Sequence, residues 1–510
     1  MTRAIRAAPP VWVTVTTAAV MLVLATLLEL WAVDRRTLWL DEVATVSSST
    51  RSWESLGALT NHIDFVHRGY YSLLHIWFEL VGYSPFALRA VSAIAIGCTA
   101  ALLVVIGQRL LDLATGVLAA VAFLAMPSVS LAAANGRSQA LEMLCAALAS
   151  LLLILVLEAA RSTRPRPIAV GVLWVAYVVV SFAGITLQLW FVFIVIGHAI
   201  TVLVSVLSRR RRRWRVALPA AAAFALTGIV TVPFALRAMQ QTAQIGWLKA
   251  PTLAEAAVML FRDQAFTEGL VQRDFGWLTA LATFSWCVAA IGIIWAAVRR
   301  PGVLALAVPW QFLPPIGLFT VTVLLTPTFT DRYIAMCCPA LALLIATGLR
   351  AFLHRWIAIL GGVLLLPILV GGVYGWNLAR TGIPVTTDYG RVARMISDAR
   401  EVNPQQRQAL AFGALQRPGA QLPIGYPSSL RGVDDLTYGQ VRVPDDYFWP
   451  NGRSQGDAAA AAGPYQLLWY VGTEGASSDQ FAQAIGSGFT LREKTSLGGG
   501  TFLFRFDRTG

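Results

Sequence analysis

The sequence from Val11 to Trp31, VWVTVTTAAVMLVLATLLELW, decides the fold class of this chain. The run is apolar almost throughout, and a helix of about 20 such residues crosses the hydrocarbon core of a bilayer. It is longer than the core of a secretory signal peptide, which has about 7–15 apolar residues. We therefore expect it to be retained as the first membrane span.

The rest of the chain repeats this pattern. Of the 510 residues, 56% are hydrophobic and only 13% are charged, whereas a soluble globular protein has about 25% charged residues. The apolar runs predict a mainly α fold, a polytopic transmembrane helical bundle of about eleven spans. The predicted spans are 11–31, 84–107, 114–134, 139–160, 168–187, 189–207, 216–237, 277–298, 303–325, 334–352 and 357–376.

The distribution of arginine predicts the orientation of these spans. The net charge is +13, almost all of it from arginine. With the N-terminus in the cytoplasm, every short arginine-rich loop falls on the cytoplasmic side, as the positive-inside rule requires. These loops contain Arg109, Arg161–Arg166, Arg209–Arg215, Arg299–Arg300 and Arg350–Arg355. The basic excess thus indicates topology in a bacterial plasma membrane, not nucleic-acid binding.

The C-terminal residues differ in composition from the spans. We expect residues 1–376 to form a transmembrane domain with a long external loop at 32–83, and residues 377–510 to form an external α/β domain. Tyr389–Val402 has the apolar spacing of a helix, and Gln466–Val471 has the composition of a buried strand. The sequence from Phe489 to Phe506, with three glycines in the middle, predicts a hairpin.

Two adjacent carboxylates follow the first span, in the sequence Leu38-Trp39-Leu40-Asp41-Glu42. The apolar neighbours place the pair at the membrane interface. A carboxylate in a partly desolvated cleft can act as a general base. The alternative is that both are solvated loop residues.

Several short motifs occur in a fixed order along residues 10–375. They are Leu38–Glu42, His67–Trp77, Arg89–Ala93, Asn135–Leu141 and Asp331–Pro339. Together they resemble the C-type (GT-C) membrane glycosyltransferases, and more narrowly the protein-mannosyltransferase and aminoarabinose-transferase-like group. This chain has Arg68-Gly69 where family members often have two prolines.

The resemblance implies an inverting enzyme that transfers a sugar from a polyprenyl-phosphate donor to an envelope glycolipid, glycan or protein on the external face. Mannose is the first expectation for the sugar, and arabinose or another pentose stays open. Asp41 would take the proton of the acceptor and Glu42 would position it.

The leaving lipid phosphate is an anion, which arginine binds with a bidentate fork. The residues expected at the donor phosphate are Arg137, Arg332, His67, Tyr333 and Arg262. Those expected at the sugar or acceptor are Arg68, Tyr70, Tyr71 and Asp263.

Two questions stay open at this stage. A divalent cation such as Mg²⁺ or Mn²⁺ could bind Glu42, His67 and Asp263, although no spacing motif requires one. A lipid-linked-sugar transporter or flippase is the main rival to an enzyme, and a non-catalytic scaffold is a third interpretation. Transporters concentrate ionisable residues at mid-membrane, often in repeats, and the sequence shows neither feature clearly.

Overall fold

The computed structural model describes residues 9–160, 167–208, 214–241, 246–266, 276–352, 358–381, 387–413, 419–439 and 443–509. Its helices are α1 (Val11–Leu30), α2 (Leu40–Ser49), α3 (Trp53–His62), α4 (Arg68–Val81), α5 (Pro85–Leu110), α6 (Leu113–Leu124), α7 (Pro127–Ala133), α8 (Gln139–Ala159), α9 (Pro167–Leu187), α10 (Val192–Leu207), α11 (Trp214–Met239), α12 (Leu253–Val258), α13 (Gln264–Phe266), α14 (Gly276–Arg299), α15 (Pro301–Leu324), α16 (Cys338–Phe352), α17 (Ala358–Thr381), α18 (Tyr389–Val402), α19 (Gln421–Gly425), α20 (Gln455–Ala460) and α21 (Ala476–Ile485). The strands are β1 (Gln408–Phe412), β2 (Val433–Asp435), β3 (Leu467–Thr473), β4 (Phe489–Gly498) and β5 (Thr501–Arg508).

Contacts divide the chain into two compact units. Unit 1 comprises Met1–Val33, Asp64–Tyr70 and Arg89–Arg380. Unit 2 comprises Asp34–Ile63, Tyr71–Leu88 and Thr381–Gly510. Most of the predicted first loop is therefore in the same unit as the C-terminal residues.

Among the described residues, ten helices are long and apolar enough to cross a membrane, or up to eleven if one bent pair counts as a span. They correspond in order to the predicted spans, so the prediction of a polytopic helical fold is confirmed and the chain is a multi-pass membrane protein. Many of the arginines used to predict orientation, at 161–166, 209–213 and 355, lie outside the described residues.

The predicted span 114–134 is a pair of helices, α6 and α7, bent by 71°. Pro127 begins α7, and Met126 before it has an extended ψ of 120°, because a proline ring disfavours helical geometry in the residue before it. The last span packs closely against this bend. A Cβ on Gly372 would lie 2.6 Å from the Cα of Ala125, so only glycine allows the approach.

The core of unit 1 is built around α16, whose residues are almost entirely buried. It packs against α14 at a contact between small residues. A Cβ on Gly348 would lie 2.0 Å from the carbonyl oxygen of Val288, and one on Gly292 would lie 2.4 Å from that of Leu344. Small residues at such contacts allow helix backbones to approach within a bilayer, where packing drives association.

Unit 2 contains a five-stranded sheet of order β2-β1-β3-β5-β4. Strands β1, β2 and β3 are parallel, whereas β5 is antiparallel to both β3 and β4. One face packs on α18, which buries Val392 and Ile396. The other face packs on α20 and α21. The sequence predictions for the helix at 389–402, the strand at 466–471 and the C-terminal hairpin are confirmed.

Candidate active site

Asp41 and Glu42 lie in the first turn of α2, in unit 2. The two carboxylates have different surroundings. Glu42 is 0% exposed, and its Oε2 accepts the backbone N–H of Trp39 at 3.2 Å, so it caps the helix. Asp41 is partly exposed. Of the two, Asp41 is therefore the carboxylate that solvent or a substrate can reach, and Glu42 fixes the turn that carries it.

The residues just before α2 are held by a tyrosine from the C-terminal part of unit 2. The hydroxyl of Tyr426 accepts the backbone N–H of Leu38 at 2.7 Å and lies 3.1 Å from the hydroxyl of Thr37. The Thr37 hydroxyl in turn accepts the N–H of Gly390 at 2.8 Å. These bonds fix the backbone three residues before Asp41.

The C-terminal end of α2 is also anchored within unit 2. Ser47 donates to the carbonyl oxygen of Phe448 at 2.6 Å, and Arg51 donates to the carbonyl oxygens of Pro444, at 2.7 Å, and Tyr447. Burial lowers the pKa of Arg51, and the nearby carboxylates of the 445–446 pair oppose this effect. Both ends of α2 are thus hydrogen-bonded to C-terminal residues of unit 2, which suits the placement of a catalytic group.

In unit 1, the structure brings His67 and Arg137 together. The Arg137 guanidinium lies 3.0 Å from Nε2 of His67. Arginine can only donate, so Nε2 of His67 is the acceptor in this pair. Asp64, 3.9 Å from the same nitrogen, has a left-handed backbone with φ of 61°. His67 therefore orients the guanidinium of Arg137 through a direct hydrogen bond.

The residues around His67 have distinct environments. Arg68 is exposed, and its guanidinium lies 5.9 Å from the ring centre of Phe65. Tyr70 and Tyr71, expected at the sugar or acceptor, are both fully buried. A Cβ on Gly69 would lie 3.0 Å from the carbonyl oxygen of Thr186, which gives a steric reason for glycine at this departure from the family pattern.

Two further predicted segments of unit 1 are in contact. The 3₁₀ helix Asp331–Cys337 contacts the π-helix Met259–Asp263 and also α8. Arg332 is exposed at the start of this 3₁₀ helix, and Tyr333 packs against a small apolar cluster. Arg262 donates from Nε to the Asp263 carboxylate at 2.7 Å. The Arg262 guanidinium thus forms an ion pair with its neighbour in sequence.

The residues suggested for a divalent cation have other contacts. The Glu42 carboxylate caps α2, and the Asp263 carboxylate accepts from Arg262. Within the described part of the chain, no three His, Cys, Asp or Glu side chains form a group that could hold a metal ion. This donor set fits a metal poorly, and no chemical step is assigned to one.

Sequence reasoning missed two buried polar networks in unit 1. Arg380 donates to Glu29 Oε2 at 2.8 Å, and both side chains are buried. Its Nε also donates to the carbonyl oxygen of Trp31 at 2.8 Å, so this ion pair joins the first and last spans. The signal was available, because an ionisable residue inside a span is rare.

The second network lies among α8, α9 and α10. His198 Nδ1 lies 3.0 Å from the hydroxyl of Tyr177, and its Nε2 lies 3.0 Å from the hydroxyl of Ser150. All three groups are buried. A histidine with both ring nitrogens bonded inside a bundle is a structural polar group, and no sequence motif marks it.

Comparison with known proteins places this fold. No family model matches the chain, and no curated protein matches it in sequence. Among solved structures, ArnT from Cupriavidus metallidurans in the apo state matches with a TM-score of 0.54 and 14% identity, over 96% of this chain and 98% of that one.

The same protein bound to undecaprenyl phosphate matches with a TM-score of 0.50 and 13% identity, over 96% and 97% of the two chains. An oligosaccharyltransferase from Archaeoglobus fulgidus, in complex with zinc and sulfate, has a TM-score of 0.48 at 12% identity, over 88% and 67%. The chain therefore has the C-type (GT-C) fold, which it shares with ArnT.

Proposed function

We propose that this protein is an inverting glycosyltransferase that moves a sugar from a polyprenyl-phosphate donor to a cell-envelope acceptor. The observation that carries the proposal is the start of α2. There Asp41 is partly exposed on a helix that is fixed at both ends, while Glu42 is buried as its cap. The fold similarity to ArnT, one structure of which contains undecaprenyl phosphate, supports the class of donor.

In the proposed reaction, a hydroxyl oxygen of the acceptor attacks the anomeric carbon of the donor sugar. The bond from that carbon to the phosphate oxygen breaks, and its electron pair leaves with the lipid phosphate. Attack from the opposite side inverts the configuration. The carboxylate of Asp41 takes the proton of the hydroxyl, a role typically worth about 10²–10⁴-fold in rate.

Positive charge is needed where the leaving phosphate gains charge. We assign this role first to Arg137, whose guanidinium is oriented by His67. Arg332, exposed at the start of its helix, is a second phosphate ligand, with Tyr333 beside it in sequence. Arg262 donates to Asp263 through Nε, so its terminal N–H groups are the ones that we assign to the phosphate.

The sugar and acceptor contacts remain proposals of the same kind. Arg68, Tyr70, Tyr71 and Asp263 are assigned to them. Mannose is the proposed sugar, with arabinose or another pentose as the alternative. The acceptor is an envelope glycolipid, glycan or protein, and the proposal places the first loop and the C-terminal domain on the outer face of a bacterial plasma membrane.

The test uses the purified full-length protein, radiolabelled polyprenyl-phosphate mannose or arabinose, and an envelope extract as acceptor. We expect label to move from one donor to the extract. Asp41→Asn should reduce this transfer by about 10²–10⁴-fold with donor binding retained, because the amide cannot take a proton. Asp479→Asn, at an exposed position of α21, is the matched control.

Two results would contradict the proposal. If Asp41→Asn transfers label as well as the wild type does, Asp41 is not the base. If protein in liposomes moves labelled donor across the bilayer but never transfers its sugar, the protein is a transporter. Parallel reactions with a chelator, and with added Mg²⁺ or Mn²⁺, determine whether a cation is required.

A further inference from the structure

A cavity of about 450 Å³ lies in unit 2, at the carboxyl ends of the parallel strands. It is lined by Phe412 and Gly413 at the end of β1 and by Thr437 and Tyr438 just after β2. The chain passes from β1 to β2 on one side and then to β3 on the other. In open α/β sheets, ligands bind outside the carboxyl ends of the strands, and the volume is within the usual range of about 300–1,000 Å³ for small-molecule sites.

The lining combines aromatic rings with short polar groups. Tyr438, Tyr447 and Trp449 supply aromatic surface, and the ring centres of Phe412 and Tyr438 are 5.4 Å apart. Hydrogen-bonding groups come from Thr437, Asn451, Arg453, Ser454 and Gln455. Aromatic faces suit the C–H faces of a sugar ring, and amide, hydroxyl and guanidinium groups suit its hydroxyls.

The charge of the cavity favours a neutral ligand. Arg453 is the one charged side chain among its described lining residues. The carboxylate of Asp435 lies just behind the wall, where its Oδ1 accepts the N–H groups of Thr437 and Tyr438 at 2.9 and 2.8 Å. Burial raises the pKa of Asp435 to about 6, an effect that the positive charge of Arg453 opposes. One arginine near a carboxylate is a poor site for a phosphate and an adequate one for a hydroxyl.

The walls are held in place by packing and hydrogen bonds. A Cβ on Gly452 would lie 3.0 Å from the ring of Tyr438, and one on Gly419 would lie 2.7 Å from its hydroxyl, so two glycines make room for this ring. The backbone N–H of Arg453 donates to the carbonyl oxygen of Thr437 at 2.7 Å. On another side, Gln455 donates to the hydroxyl of Tyr470 at 3.0 Å.

We propose that this cavity binds one or two sugar rings of a neutral glycan, stacked on its aromatic wall and hydrogen-bonded by Asn451 and Arg453. The segment that contributes Tyr447 and Trp449 is the one to which Ser47 of α2 and Arg51, just after α2, donate hydrogen bonds. Occupancy of the cavity is thereby connected to the helix that carries Asp41, through contacts within unit 2. The binding assignment itself does not depend on transfer activity.

The experiment measures binding to the full-length protein in a detergent without a sugar headgroup. The probes are methyl α-mannopyranoside and methyl α-arabinofuranoside, followed by saturation-transfer difference NMR, and inorganic phosphate, followed by the broadening of its ³¹P resonance. We expect one of the glycosides to bind. Tyr447→Ala and Arg453→Ala, both at exposed positions, should each weaken its binding by about tenfold, which equals 1.4 kcal/mol.

Two variants on β4 are the controls. Leu491→Ala matches the loss of exposed apolar surface, and Arg492→Ala matches the loss of an exposed guanidinium. Both should bind the glycoside as the wild type does. Three results would overturn the proposal: neither glycoside binds, glycoside affinity is unchanged in both cavity variants, or phosphate binds in place of the sugar and is lost in Arg453→Ala.

Discussion

The hydroxyl of Tyr426 is a single atom on which the position of the proposed base depends. It accepts the N–H of Leu38 at 2.7 Å and pairs with the hydroxyl of Thr37 at 3.1 Å. Leu38 is 1% exposed, so water cannot readily replace the lost acceptor. In Tyr426→Phe, the ring keeps its packing while the backbone three residues before Asp41 loses its anchor.

The size of the effect follows from these two bonds. A buried donor left without an acceptor costs about 1–3 kcal/mol, and an ordinary hydrogen bond contributes about 1 kcal/mol more. Part of this loss should appear as a lower melting temperature. If the lost hydrogen bonds raise the activation free energy of transfer by about 1.4–2.8 kcal/mol, turnover falls by about ten- to a hundredfold. Donor affinity should be unchanged, because the phosphate ligands that we propose belong to unit 1.

The assay is single-turnover transfer from the labelled donor, with a donor titration and a thermal melt of the same sample. Tyr465→Phe is the matched control, because it removes another tyrosine hydroxyl of unit 2, one that donates to Asp434 at 2.9 Å. If Tyr426→Phe transfers sugar at the wild-type rate, the anchoring argument is wrong. An equal loss of rate in Tyr465→Phe would show that any weakening of unit 2 has this effect.

Four further predictions concern other residues. Arg332→Ala should weaken donor binding by about ten- to a hundredfold, as expected for a charge-assisted contact of about 1.5–3 kcal/mol, and Arg332→Lys should restore it only partly. If donor affinity is unchanged in Arg332→Ala, the phosphate binds elsewhere. His67→Ala should weaken donor binding less than Arg137→Ala, because it removes only the orienting bond, and equal losses would show that the histidine has a direct role. Arg380→Ala should destabilise the protein by about 3–5 kcal/mol, because it leaves a buried carboxylate without its partner; a melting temperature near the wild-type value would refute this. The pKa of Asp435 is about 6 in the folded state and about 3.9 in the unfolded state, so the folded state binds the proton more tightly. The free energy of unfolding should therefore fall by up to about 3 kcal/mol as the pH rises from about 4 to 6. Asp435→Asn should remove this part of the pH profile, and an unchanged profile would refute the assignment.

The membrane helices could be predicted because hydropathy and length are local properties of the sequence. All eleven predicted spans correspond to helices or to the bent pair α6–α7. The bend itself had a local signal in Pro127, but a proline inside a span often only kinks it. The 71° break is accompanied by the close approach of Gly372 to Ala125, a contact between distant parts of the chain that local sequence does not show.

The sequence locates the acidic pair, but it does not show that Glu42 is buried while Asp41 is partly exposed. The capping role of Glu42 has only a weak sequence signal. The N-cap residue is Trp39, whereas a capping box usually begins with serine or threonine. The hydrogen bond between His67 and Arg137 joins residues 70 positions apart, and no periodic pattern contains that information. The cavity in unit 2 likewise depends on the order of three strands, which the sequence does not specify.

The tie between Leu38 and Tyr426 has a consequence for how the protein is made. The two residues are 388 positions apart, and translation proceeds at about 5–20 residues per second. For about 20–80 s, the N-terminal acid is therefore already synthesised while the tyrosine that anchors it does not yet exist. During that interval a partly made chain has its first span but lacks the hydroxyl that holds the backbone before α2. A chain that stops before Tyr426 therefore lacks the anchor of the proposed base, and we expect its rate of transfer to fall at least as far as that of Tyr426→Phe.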